Sequence, residues 1–224
     1  MFKKISYIIL LLSAVSCVKK DEKDFSAIAT DFVTAYAPLF PDETPLSINN
    51  VLLKDLHIPT DSILDSVRIF YENFSAEIKG YKAAELPVAT QKDFIKMQNI
   101  LNNINVYLTN YPNNPTYFNI LNGFQRIVQS NYTIPEKRAE ILFHKLDYVP
   151  AFYEAAKSQL QTADVKKADE TLEKHLQTYT FFDKTLPNWV QSNHKMTPQY
   201  QARLQAAKLA IKDYVAYVES LRLE

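Results

Sequence analysis

The four histidines, His57, His144, His175 and His194, would have to supply any metal or acid–base chemistry that needs an imidazole. A metalloprotease helix carries two imidazoles one turn apart with a glutamate between them, and no two of these four are near each other in the chain. Glu140 and His144 are four apart, so on a helix they could reach one metal from the same face. The same spacing suits a surface ion pair in water, and that is the expectation. Glu170 and Lys174 are placed to pair as ions, whereas Glu173 and His175, two apart, point to different sides of a helix. The carboxylates Asp61/Asp65 and Asp169/Glu173 also fall at i,i+4, a spacing that on an amphipathic helix keeps both in solvent rather than forming an acid–base couple. No Gly-x-Ser-x-Gly elbow is present. The only glycines are Gly80 and Gly123, so there is no phosphate cradle and no dinucleotide fingerprint. No catalytic residue, metal ligand or cofactor is expected.

Cys17 is the single cysteine, and its setting points to a different chemistry. Lys3 and Lys4 make a short positive start, and the apolar run from Ile5 to Val15 is broken only by Ser6 and Ser13. A spanning helix needs about 20 apolar residues, so this run has the size of a signal-peptide core. Ala14-Val15-Ser16-Cys17 closes it with small residues before the cysteine, as a lipoprotein signal peptidase requires, although leucine is more usual at the Ala14 position. Residues 1–16 are therefore read as a signal peptide, and Cys17 as the attachment point of a thioether-linked diacylglycerol. Acyl chains such as palmitate would hold the mature protein on a membrane, each buried methylene contributing about 0.8 kcal/mol. Residues 17–24 are a charged tether, and their Lys20-Asp21-Glu22 resembles the surface-export signal of some Gram-negative lipoproteins. The expected location is the bacterial outer membrane, facing either the cell surface or the periplasm.

A lone cysteine excludes an internal disulfide framework and a cysteine zinc cluster. Loss of Lys3 and Lys4 with the signal peptide leaves 23 basic against 25 acidic residues, a net charge of −2. A nucleic-acid partner would call for a basic face, so none is expected. Scarcity of glycine argues against a fold rich in tight turns.

Helical periodicity runs through residues 25–224, which are read as one all-α domain of seven or eight helices with proline kinks. Asp24 caps a first helix striped by Phe25, Ile28, Phe32 and Tyr36 and ended before Pro38. An irregular, proline-punctuated connection over 38–59 leads to a second helix from Thr60 or Asp61. Leu64, Val67, Tyr71, Phe74 and Ile78 form its face, and Gly80 stands at the C′ position. Thr90 caps a third helix with Phe94, Met97, Leu101, Ile104 and Leu108, and Thr116 opens a fourth. Pro135 suits a first helical position, followed by Ile141, Leu142, Lys145 and Tyr148; Pro150 predicts a kink between two helices. Asp164 caps a long helix striped by Ala168, Leu172, Leu176, Tyr179 and Phe182, which Pro187 breaks or bends before Trp189. Thr197-Pro198 opens the last, whose stripe is Leu204, Ala207, Ile211, Val215, Val218 and Leu221. Most of the aromatics fall on these stripes and are assigned to the core. The exception is the connector from Tyr107 to Tyr117, where Tyr107, Tyr111 and Tyr117 among asparagines and prolines are a candidate contact loop for glycan or peptide.

The segment from Ile141 through Val149-Pro150-Ala151-Phe152-Tyr153 to Ala155-Ala156 and Leu160 resembles a pattern in domain-of-unknown-function family 885. There, a helix ending in a leucine-to-proline step leads into an alanine-rich one. Asp93-Phe94 to Leu108 and Pro115-Thr116-Tyr117-Phe118-Asn119 are similar to that family's preceding helices. The resemblance covers roughly residues 25 to 220 and rests on the spacing of helices and prolines. Full-length members are predicted zinc peptidases whose second half carries a His-Glu-x-x-Pro-Gly-His motif; nothing here matches it, and Glu224 falls about where that half would begin. The resemblance thus implies the non-catalytic helical half of a peptidase, either free-standing or part of a truncated frame, with no functional residue to carry over. Together these readings predict a monomeric, membrane-anchored domain that binds a protein or peptide partner. The alternative is half of a split zinc peptidase with its metal site on another chain.

Overall fold

A computed structural model describes residues 24–43 and 56–222, and within them the protein is all helical. Eight α-helices follow in order: α1 (Phe25–Leu39), α2 (Asp61–Ile78), α3 (Val88–Asn110), α4 (Leu121–Gln129), α5 (Pro135–Gln159), α6 (Val165–Thr180), α7 (Leu186–Asn193) and α8 (Pro198–Ser220). Among the described residues there is no strand, only an isolated backbone bridge between Ala163 and Arg222. No helix there is long and apolar enough to cross a membrane. The signal peptide, Cys17 and the tether up to Lys23 lie outside the described residues.

Local chemistry sets several helix starts where the sequence places them. Asp24 accepts from the Ser26 amide, Asp164 from those of Lys166 and Lys167, and Thr197 Oγ1 from that of Tyr200. Each satisfies amides that the first helical turn leaves without partners. Pro135 and Pro198 occupy first-turn positions, where a missing N–H costs nothing.

Other boundaries differ. α1 continues through Pro38 to Leu39, because a proline in the last turn removes one hydrogen bond and leaves the preceding ladder intact. Gly80 does not take the left-handed C′ conformation, since no glycine has a positive φ. α3 begins at Val88, not after Thr90, whose hydroxyl instead donates to the Pro87 carbonyl. α4 begins at Leu121 rather than Thr116: Asn114 caps a separate 3-10 turn, Pro115–Tyr117, and the Asn119 side chain accepts from the Leu121 amide. α5 runs as one helix through Pro150, not as two. At Pro187 the chain widens into a π turn, Phe181–Thr185, with Leu186 N–H donating to the carbonyl of Phe181. A proline cannot donate to the carbonyl four residues back, and a π turn absorbs that mismatch without ending the helix. Thus α6, the π turn and α7 form one continuous rod.

The buried side chains form two clusters. One joins α1, α2 and α3 through Met97 and the rings of Phe25, Phe32, Phe70, Phe74 and Phe94, which meet edge-on or tilted. The other, larger cluster is built on α4 to α8, with α8 laid against α5 and α6. Tyr107 packs against both. Arg138 of α5 ties α4 to α5 by donating to the carbonyls of Ile127 and Val128 and of Ser130, the last turn of α4 and its cap. A cation there offsets the negative end of the helix dipole.

The buried face of α6 departs most from its apolar stripe. Ala168, Thr171, His175 and Thr178 face the core, while Leu176 is 67% exposed. The polar groups tolerate this because they are bonded: Thr171 and Thr178 donate to the carbonyls of Lys167 and Lys174, one turn earlier. On α8 the inward positions belong to Tyr200 and Tyr214 besides Leu204, Ala207, Ile211 and Val218, with Val215 half-buried. The Tyr214 hydroxyl donates to the Pro115 carbonyl at 3.0 Å.

Candidate functional site

Where the two clusters meet, a cleft of about 360 Å³ opens. Its walls come from the end of α1 and the segment after it, the segment entering α2, the C-terminal half of α3, and residues 117–120. Most of the lining is apolar, including Leu39, Phe40, Leu56, Ile63, Ile104 and Phe152. That combination of apolar walls and few polar groups is typical of ligand sites.

The polar groups of the cleft are specific. Tyr36 on α1 donates its hydroxyl to Glu43, fixing that carboxylate at the rim, and its ring stacks on Phe40 at 4.6 Å. Burial pushes the Tyr36 phenol far above its ordinary value, and the bond and charge of Glu43 push the same way, so it stays protonated and donating. His57 also lines the cleft, and its Nε2 is buried with no hydrogen-bond partner. Burial lowers the pKa of this imidazole; a bond to the Leu39 backbone and the charge of Asp42 oppose the shift, while the Lys145 charge adds to it. A neutral ring with an unused ring nitrogen is the result.

Asp42 is held from behind. Lys145, fully buried on α5, places Nζ 2.7 Å from Asp42 Oδ1 and 5.9 Å from the Phe124 ring centroid. The carboxylate lies over Gly123 in the first turn of α4, where an added Cβ would come within 2.5 Å of Asp42 Cγ and both oxygens. The positive end of α4 and a buried ammonium therefore both face Asp42, leaving Glu43 as the acid on the open rim. Asn119 completes this side: its Nδ2 donates to Thr178 Oγ1 at 3.0 Å, anchoring the cleft floor to α6.

The three tyrosines of the candidate contact loop are brought together, but not as an exposed loop. Tyr107 meets Tyr111 at 4.9 Å and Tyr117 at 5.0 Å, edge to face. Tyr111 is only 3% exposed and packs on Phe118, so it offers no ring to a ligand. Tyr107 and Tyr117 are half-buried and line the cleft. The connector curls inward because its aromatic rings bury more apolar surface there than they could in solvent.

The remaining candidates stay apart. Glu140 and His144 are exposed on α5, and His144 contacts Phe143. Asp65 pairs with Arg68 at 2.7 Å, Asp169 with Arg222, and Glu170 with Lys167 rather than Lys174. Asp61 accepts from Gln159. His175 is buried, with Nδ1 2.9 Å from the Thr171 carbonyl and Nε2 3.0 Å from that of Phe118. Among the described residues no group of three or more His, Cys, Asp or Glu is placed to hold a metal. Sequence reasoning missed Tyr36, Asp42, Glu43 and His57 as a group. The available signals were a lysine on an apolar stripe at 145 and a glycine inside a helix at 123.

No protein-family model matches the sequence, and no curated protein matches it. The fold is similar to that of a putative lipoprotein of unknown function from Shewanella oneidensis, with a TM-score of 0.73 and 17% sequence identity. The likeness covers 88% of this chain and 37% of that one, so this chain corresponds to well under half of the longer protein. At that identity the shared feature is the helical fold.

Proposed function

We propose that the chain is a lipid-anchored domain of the bacterial cell envelope that binds a protein or peptide partner, as a monomer, through the cleft between its two helical clusters. The observation that carries the binding role is the cleft itself: apolar walls with a tyrosine-held carboxylate at the rim. The lipobox at Ala14 to Cys17 supports the anchor, and a similarly folded protein that is itself described as a lipoprotein supports the same reading. Anchoring at the outer membrane, on either face, follows the tether sequence after Cys17.

A photoreactive amino acid at Asn103, an exposed residue of the cleft, tests the binding role in the native envelope. It should form a discrete crosslinked adduct that the same group at the exposed Glu173 on α6 does not form. Equal labelling from both positions, or none from either, would remove the cleft as the binding surface. For the anchor, Cys17→Ala should abolish metabolic labelling by a palmitate analogue, and persistent labelling would refute it.

A second reading has one observation in its favour. The similarly folded protein is much longer than this chain, as expected if this fold serves as one part of a larger protein. Combined with the resemblance to family 885, that supports a non-catalytic half of a split zinc peptidase, with the metal on another chain. Co-purification with a zinc-containing chain through the α8 side, instead of the cleft, would place this reading first.

A further inference from the structure

Building on the cleft as the binding site, we infer that its ligand is a basic side chain of a peptide, lysine or arginine, adjacent to an apolar residue. The charged residues among the described lining are Asp42 and Glu43, and both are acids. They are not equivalent. Asp42 already faces the buried ammonium of Lys145 at 2.7 Å. Glu43 is exposed and oriented by the Tyr36 hydroxyl, so it presents its remaining acceptor capacity to an incoming donor. A carboxylate accepts several hydrogen bonds, and one held by a single phenol keeps sites for a bidentate guanidinium or an ammonium.

The surroundings suit a cation on a hydrocarbon stem. Tyr36 and Phe40 stack on each other at 4.6 Å, so beside Glu43 they supply apolar ring edges for a hydrocarbon stem. Tyr107 and Tyr117, in edge contact at 5.0 Å, supply further aromatic surface from α3 and the 3-10 turn. Leu39, Ile63 and Ile104 would pack against the stem and the neighbouring apolar residue. An anionic ligand would find two carboxylates and no basic side chain among the described lining.

Calorimetry on the mature chain, solubilised in detergent, tests this with two probes. Acetyl-Leu-Arg-amide carries the charge; acetyl-Leu-citrulline-amide keeps its shape and most of its donors without the charge. The arginine peptide should bind about tenfold more tightly than the citrulline peptide, the ratio a charge-assisted hydrogen bond supplies. Glu43→Gln should erase that ratio without changing the circular dichroism, because Glu43 is exposed. Tyr36→Phe, which keeps the ring and removes the hydroxyl, should reduce it. Equal affinity for the two peptides, no binding of the arginine peptide, or an unchanged ratio in Glu43→Gln would each overturn the inference. The Asn103 crosslink is read separately: an adduct there with no charge preference would leave the cleft as a binding site and remove only its assignment to basic peptides.

Discussion

Lys145 and Asp42 meet across 103 residues of chain, Nζ to Oδ1 at 2.7 Å, with the ammonium fully buried and the carboxylate 30% exposed. The contact joins the large α4–α8 cluster to the rim of the cleft, and Gly123 is what allows it.

Gly123→Ala would drive a Cβ to within 2.5 Å of all three carboxylate atoms of Asp42, and the side chain could relieve the clash only by leaving Lys145. Thermal denaturation should show a loss of about 1–3 kcal/mol, or roughly 2–10 °C for a domain of this size. Gly80→Ala is the control. Nothing lies within 4 Å of an added Cβ there, and the φ is not positive, so it should be neutral or stabilising by about 0.4–1 kcal/mol through the unfolded chain. Similar losses from both substitutions would show that the close approach at Gly123 is not what matters.

Removing the acid alone should be worse than removing both charges. Asp42→Ala removes one partner of a fully buried ammonium and should cost about 1–3 kcal/mol, less than for a completely buried pair because Asp42 is partly exposed. Adding Lys145→Met, which keeps the stem's volume beside Phe124, should recover at least half of that. Denaturant midpoints of the two variants measure the difference, and a double variant less stable than Asp42→Ala would contradict it.

Acid should destabilise the protein from the histidine range downward. His57 and His175 both have lowered pKa values in the folded chain, burial being the first cause in each. At His175 the Thr171 and Phe118 carbonyls favour the charged ring, while Lys174 and desolvation disfavour it; Tyr153 and Tyr214 pack on the ring. At His57, Leu39 and Asp42 oppose burial and Lys145 adds to it. The unfolded chain binds protons at about pH 6.5 where the folded chain does not, so stability is full above that value and falls as pH drops through it. Urea midpoints at pH 7.5, 6.5 and 5.5 should decrease in that order, with a shallower slope in His175→Gln. A midpoint that rises on acidification would reverse the assignment of both imidazoles as neutral.

Metal should not contribute to folding. A structural metal's binding free energy is lost on chelation, and no suitable ligand group occurs among the described residues. The mature protein should melt at the same temperature with and without a chelator and hold well under one zinc per chain by elemental analysis. Stoichiometric zinc would bring the peptidase reading forward.

What the sequence determined by itself is the part of the fold that depends on neighbours along the chain. The all-helical class, the caps at Asp24, Asp164 and Thr197, and the first-turn prolines at 135 and 198 are local hydrogen-bonding and φ preferences, legible within a few residues. The stripes of α2 and α3 were legible too, because Val67, Phe74 and Ile78, and Phe94 through Ile104, have only one face to bury. Tertiary structure decided the rest. It turned Thr171, His175 and Thr178 of α6 inward and left Leu176 outside, because the carbonyl of Phe118 and the amide of Asn119 were there for His175 and Thr178, while Thr171 bonds within its own helix. It carried α5 through Pro150, where packing on α8 outweighs one lost hydrogen bond. And it made the cleft, whose residues lie on segments far apart in sequence and are brought together only when the two hydrophobic clusters close around Tyr107.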